Sequence, residues 1–188
     1  MTVIADFFDA LADRWDELCF HAPEKINYIL EQTTLHKGLR ILDVGCGTGV
    51  LEQYLLTYAP VHITGIDLSS RMIEEARRKY ATPIVDFRCM DIMDLKDEKF
   101  DYIIIDTPPM ANVIDGAIIA GSCDGAILVI EAGATSYRLE QKVVKQLEKS
   151  GCRILGAVLN KVDIRSNGYY GKYGKYGKYG KYDKYEGY

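Results

Sequence analysis

The segment Ile41-Leu42-Asp43-Val44-Gly45-Cys46-Gly47-Thr48-Gly49-Val50 constrains this chain more than any other, because an apolar run there enters three alternating glycines. Arg40 to Val44 predicts a short buried strand, and glycines directly after it let the backbone turn sharply and approach a ligand before a helix begins. Spacing narrows the ligand. The dinucleotide fingerprint places its third glycine three residues after the second. Here that position is Val50, and the third glycine arrives one residue early, at Gly49. Asp43, two residues before Gly45, turns a negative charge toward the loop, which suits a cationic centre better than a pyrophosphate. A sulfonium-bearing cofactor therefore fits the loop better than NAD.

The rest of the chain alternates between the two periodicities. Phe7, Phe8, Leu11, Trp15 and Leu18 fall near helical spacing, and a second helix is expected over Pro23 to Gln32. After the first strand come helix 50–58, strand 61–66, helix 70–80, strands 84–88 and 102–106, helix 113–121, strand 126–130, helix 136–149 and strand 153–159. Strands separated by helical crossovers imply an α/β, Rossmann-like, doubly wound and mainly parallel sheet, with ligands at the carboxyl ends of the strands.

Two further acids stand at successive strand ends. Asp67 closes Thr64-Gly65-Ile66-Asp67, where a carboxylate can accept from both ribose hydroxyls, as it could for NAD. Asp91, in Cys89-Met90-Asp91-Ile92, could receive the adenine amino group. Singly, each acid reads as a turn residue or helix cap; three in register outline an adenosine site.

Composition sets the class. A chain of 188 residues suits one α/β domain with a short appendage, and 48% apolar with 27% charged residues is a soluble globular mix. Five cysteines without a Cys-x-x-Cys pair predict a reduced, cytoplasmic protein with no zinc site. No uncharged apolar run approaches the roughly 20 residues of a membrane helix, so no membrane insertion is expected. The net charge of −4 divides into about −7 for residues 1 to 167 and about +3 for the tail, and an acidic body argues against nucleic acid as a partner. His21, His36 and His62 lack metal-ligand spacing, and no metal is expected.

On these motifs, residues 1 to about 100 resemble a class I S-adenosylmethionine-dependent methyltransferase. Phe7-Phe8-Asp9-Ala10-Leu11-Ala12-Asp13-Arg14-Trp15-Asp16 is similar to that family's leading helix, and Leu42 to Gly49 to its first motif. The resemblance implies S-adenosyl-L-methionine as cofactor, with Asp43 in the first motif. Gly45, Gly47 and Gly49 would wrap its methionine part, Asp67 would hold the ribose, and Asp91 with Ile92 would edge the adenine. Met90 stands where the family often has a smaller residue. The resemblance names no catalytic residue and no methyl acceptor.

From Phe100 onward the resemblance changes. Phe100-Asp101-Tyr102-Ile103-Ile104-Ile105-Asp106-Thr107-Pro108-Pro109 resembles the Walker B strand of bacterial tyrosine kinases of capsule and exopolysaccharide synthesis. Asp115, the strand within Asp124 to Ile130, Leu155 to Asp163 and the tail are similar to the same family. In those kinases Asp106 would help organise magnesium, but only if a nucleotide site were completed. The sequence contains no Gly-x-x-x-x-Gly-Lys-Ser/Thr loop, so kinase activity is not expected. Thr107-Pro108-Pro109-Met110 also stands where amino-methyltransferases of nucleic acid bases carry an Asp/Asn/Ser-Pro-Pro-aromatic sequence, but both outer positions differ. The chain thus reads as a chimera joined within one strand: residues 1–100 methyltransferase-like, 101–165 kinase-like and completing the sheet, and 166–188 a tail. Gly-Lys-Tyr repeats make the tail low-complexity, and disorder is the expectation. Tyr170, Tyr173, Tyr176, Tyr179, Tyr182, Tyr185 and Tyr188 resemble the kinases' phospho-acceptor cluster, open to an intact kinase in trans.

Two functions follow from these readings. One is a methyltransferase that moves a methyl group to a small or unidentified acceptor; the other is a regulatory kinase fragment whose tail is phosphorylated in trans.

Overall fold

The computed structural model describes residues 3–19, 22–95, 98–107, 109–110 and 115–162. They fall into two compact units, residues 1–107 and 108–188.

The first unit is built on a four-stranded parallel sheet. Its strands are β1 (Arg40–Val44), β2 (His62–Asp67), β3 (Val85–Cys89) and β4 (Tyr102–Ile105), in the order β3-β2-β1-β4. Chain order reverses between β1 and β4, which makes their carboxyl ends the switch point where doubly wound sheets take ligands. Ile41, Leu42, Ile63 and Ile66 are fully or almost fully buried, as expected of parallel strands covered on both faces. Leu55, Ile73, Ala76, Val85 and Phe87 join this core.

Around the sheet run α1 (Val3–Asp9), α2 (Trp15–Leu18), α3 (Pro23–Glu31), α4 (Glu52–Leu55) and α5 (Ser70–Tyr80). The Phe7-to-Leu18 stripe breaks into two short helices joined by a 3₁₀ turn over Ala12–Arg14. The helix expected over 50–58 is shorter as well. After Leu55 it tightens into a 3₁₀ turn over Leu56–Tyr58 and ends on Ala59 in the left-handed conformation, one residue before Pro60, which cannot continue it. α5 follows its local signals closely. Ser69 caps it by accepting the Met72 N–H at 3.1 Å, Arg77, Arg78 and Lys79 stand in its last turn, and Met72, Ile73 and Ala76 face the core.

The second unit holds α6 (Asp115–Ala120), β5 (Ala126–Glu131), α7 (Tyr137–Ser150) and β6 (Ile154–Asn160). Ser136 caps α7 by accepting from the Leu139 N–H, and Gly151 ends it at φ +79°. Val143 and Leu147 pack there with Ala120 and Cys152 in a small core. β5 and β6 pair in parallel with each other, and in the first unit β4 pairs with β1. Hydrophobic periodicity marks a strand without naming its neighbour; pairing depends on side chains interlocking across elements. The tail and its seven tyrosines lie outside the described residues.

Candidate cofactor site

The glycine loop leaves β1 with three left-handed residues, Gly45 at φ +82°, Gly47 at +54° and Gly49 at +81°, separated by Cys46 and Thr48. That alternation requires glycine, since a β-carbon strains this conformation. The loop is stitched to β2: the Gly45 and Cys46 N–H groups both donate to the Ile66 carbonyl, at 2.9 and 3.1 Å. Asp67, the next residue, accepts from the Gly47 N–H at 3.0 Å on one oxygen and from the Ser69 N–H at 2.8 Å on the other. Each oxygen keeps a lone pair for a ligand hydroxyl.

The three glycines have different surroundings. A β-carbon on Gly49 would lie 2.9 Å from Phe87 Cζ and 3.1 Å from Ala76 Cβ, so this glycine serves close packing of the loop against the core. Gly45 lies beside Asp106, whose Cβ would stand 3.5 Å away. A β-carbon on Gly47 would meet, among the described residues beyond its chain neighbours, only the Trp15 indole nitrogen, at 3.8 Å. The open side of the loop is therefore at Gly47.

Trp15 belongs to an N-terminal strap that acidic residues pin across the loop. Asp16 accepts from the Thr48 hydroxyl at 2.5 Å and pairs with Lys79 at 2.7 Å. Asp9 accepts from the Ser69 hydroxyl at 2.5 Å and from the Arg71 N–H at 3.0 Å, and these bonds hold its carboxyl below the usual range. Asp13 pairs with Arg71 at 3.1 Å. In the sequence these acids show only as charges interrupting an apolar stripe. Which cations they meet is a matter of α5 arriving from some sixty residues away.

Asp43 is 4% exposed at the end of β1. Burial, reinforced by Asp106 and Asp67, pushes its carboxyl up to about 7. Glu52 is buried completely, and burial with the neighbouring Asp43 charge holds it well above the ordinary glutamate range. The Cys46 thiol is raised too, by burial and then by Glu52, Asp43 and Asp67. Glu52 was not among the residues the sequence pointed to. Its one signal there is a charge between Leu51 and Leu55 on a helix that has to pack. Among the described residues no group of three or more His, Cys, Asp or Glu is arranged to hold a metal.

Asp91 and Ile92 occupy the next strand end. The Met90 N–H donates to the Asp67 carbonyl at 3.0 Å, which ties the two ends together. Asp91 is exposed and accepts the Met93 N–H at 2.9 Å as the cap of a 3₁₀ turn over Ile92–Asp94, and Ile92 is 40% exposed. The structure thus brings Asp43, Gly45, Gly47 and Asp67 to one loop, with Asp91 and Ile92 at its rim.

Residues 41–115 match Methyltransf_25, a methyltransferase domain family. The malonyl-[acyl-carrier protein] O-methyltransferase of Acetivibrio thermocellus is 37% identical over 101 residues, covering 52% of this chain and 36% of that enzyme. Tyrosine-protein kinase CpsD of Streptococcus agalactiae is 51% identical over 74 residues, 38% of this chain and 32% of the kinase. A solved SAM-dependent methyltransferase from Thiobacillus denitrificans, in complex with S-adenosyl-L-homocysteine, aligns with a TM-score of 0.47 at 21% identity, covering 85% of this chain and 55% of that one. The chain spans about a third of the length of the two curated relatives. No helix among the described residues is long and apolar enough to cross a membrane.

Proposed function

We propose that the protein binds S-adenosyl-L-methionine on the Gly45–Gly49 loop and donates its methyl group to an acceptor. The observation that carries this reading is the junction of the carboxyl ends of β1 and β2, where Asp67 accepts the Gly47 N–H while keeping acceptor capacity for ribose. The residues fit the cofactor. Gly47 leaves the loop open below Trp15, Asp43 and Asp106 supply negative charge toward a cationic ligand, and Asp67, Asp91 and Ile92 follow along successive strand ends. When bound, the cofactor supplies an electrophilic methyl group on a positively charged sulfur. The chain's own part is to hold that group in place: Asp67 fixes the ribose, the glycine backbone approaches the methionine part, and the strap bearing Trp15 shields the loop from water. Transfer of this kind rests mainly on proximity and orientation, and no side chain is assigned as catalytic.

Calorimetry against S-adenosylmethionine, S-adenosylhomocysteine and NAD tests the reading. Heat from the first two and none from NAD is expected; tight NAD binding without heat from the methyl donor would overturn it.

A second reading is favoured by the 51% identity to the CpsD kinase. In it, residues from Phe100 onward are a kinase-derived module without phosphate-binding loop, and the tyrosines from Tyr170 to Tyr188 are substrates of an intact kinase in trans. Labelled ATP with magnesium should leave the purified protein unlabelled, and an active kinase of that family should label the tail. An unmodified tail beside a modified control rules this reading out.

A further inference from the structure

Helix α7 carries four cations on one face. Arg138, Lys142, Lys145 and Lys149 recur at intervals of four, three and four residues, and at 3.6 residues per turn they fall within an arc of about 60°. All four are exposed and line one open groove with Gln141 and Gln146, while Val143 and Leu147 face the core on the opposite side. Among the described residues none of the four forms an ion pair. The cations of α5 differ: Arg71, Arg78 and Lys79 pair with Asp13, Glu75 and Asp16, and Arg77 donates to the Phe87 carbonyl. The acids of α7, Glu140 and Glu148, lie outside the arc. Like charges at these spacings repel, so the stripe is complementary to an anion rather than to its own helix.

The stripe divides into two doublets, Arg138 with Lys142 and Lys145 with Lys149, offset by seven residues or about 10.5 Å along the axis. It therefore fits two anions about that far apart. Residues 170–188 repeat tyrosine at every third position, and polyproline II geometry, with three residues per turn, brings every third side chain to one side at intervals of about 9.3 Å. Each lysine before a tyrosine is then turned about 120° away. Unmodified, the tail carries about +3 and is repelled by the stripe. Each phosphotyrosine adds about −1.5 to −2 charges and acceptor oxygens for the Arg and Lys donors. Gln146 Oε1 is buried at the groove with no hydrogen-bond partner among the described residues, and can accept a backbone N–H, which a peptide brings and free phosphate does not. The chain is also long enough. The last residue of β6, Asn160, accepts the Ala132 N–H at 2.9 Å, so the tail leaves at the end of the β5–β6 sheet from which α7 starts. Tyr170 comes eight residues after Val162, a reach of up to about 26–29 Å against a helix about 21 Å long.

We propose that α7 is the docking site for the chain's own phosphorylated tail: two phosphotyrosines three residues apart seat on Arg138 with Lys142 and on Lys145 with Lys149. That the tail is phosphorylated rests on the second reading above; the charge pattern of α7 does not. A weak site suffices, since a short tether holds the tail at about millimolar effective concentration. Phosphorylation thus turns a repelled tail into a docked one.

The test titrates synthetic peptides of residues 171–182 into the full chain with its tail unphosphorylated. The peptide phosphorylated on Tyr176 and Tyr179 should bind about tenfold more tightly than the unmodified one, with a gain that shrinks as salt is added. A glycine inserted between the two phosphotyrosines, which breaks the three-residue period, should remove most of that gain. Lys142→Gln combined with Lys145→Gln takes one exposed cation from each doublet and should weaken binding about tenfold. The full chain carrying the same two phosphates, installed by ligating a synthetic tail, should no longer take the peptide. Equal affinity for modified and unmodified peptides, wild-type affinity in the double variant, or undiminished binding to the phosphorylated chain would each overturn the proposal. Phosphatidylglycerol vesicles that bind through the same lysines while the phosphopeptide does not would give α7 to a membrane surface instead, and overturn it as well. Because the peptide arrives with its phosphates, binding here beside a tail that no kinase labels refutes the second reading alone, whereas a labelled tail whose phosphopeptide does not bind refutes this inference alone.

Discussion

Glu52 Oε1 lies 2.7 Å from where a β-carbon on Gly65 would stand, so the glycine of β2 and the buried acid of α4 share one volume. Phe87 Cδ1 is as close, and neither the β3 ring nor the short helix has room to retreat. Gly65→Ala should therefore destabilise the first unit by about 1–3 kcal/mol, the usual cost of overpacking. Urea unfolding followed by circular dichroism measures it, and a change below about 0.5 kcal/mol would show that the acid can move aside.

Asp43 links stability to pH. Its folded-state value, about 7, lies above the 3.8 of an unperturbed aspartate, so between those limits the folded chain binds more protons than the unfolded one. Stability from this group is complete below about pH 4 and is lost as pH rises through 7, at up to about 1.4 kcal/mol per unit. Asp43→Asn should accordingly be more stable than wild type at pH 8, with the gap closing on acidification to pH 4. Parallel denaturation curves at three pH values provide the comparison.

Asp67 anchors the glycine loop by accepting the Gly47 and Ser69 N–H groups. Under the proposed function Asp67→Ala would remove the acceptor of the ribose hydroxyls as well, and charged hydrogen bonds of this kind are worth roughly 1.5–3 kcal/mol. Affinity for S-adenosylhomocysteine should fall by about 10- to 100-fold in calorimetry. Wild-type affinity in the variant would remove Asp67 from the site.

Trp15 is the chain's single tryptophan, and its indole nitrogen overlies Gly47. Ligand binding at the loop should therefore change the intrinsic fluorescence. Asp16→Ala breaks the strap's bonds to the buried Thr48 and to Lys79; because Asp16 itself is exposed, the stability cost should be only about 1 kcal/mol. The same variant should red-shift the unliganded emission as the strap loosens; an unchanged spectrum would mean that Phe8, which packs edge-on against Trp15, holds it alone.

By itself the sequence determined whatever is local. The strand from Arg40 to Val44, the alternating glycines with their left-handed turns, the capped helices α5 and α7, and the acids closing β1, β2 and β3 all follow from nearest-neighbour chemistry, and they stand where the pattern puts them. Tertiary structure decided what depends on residues far apart in the chain. It turned Gly49 inward to Phe87 and Ala76, set Asp9, Asp13 and Asp16 against Ser69, Arg71, Thr48 and Lys79, buried Glu52 over Gly65, and paired β5 with β6. The reason is physical. Backbone conformation and capping are fixed within a few residues, whereas the partner of a side chain, the cost of burying its charge and the neighbour of a strand exist only once distant segments share one volume.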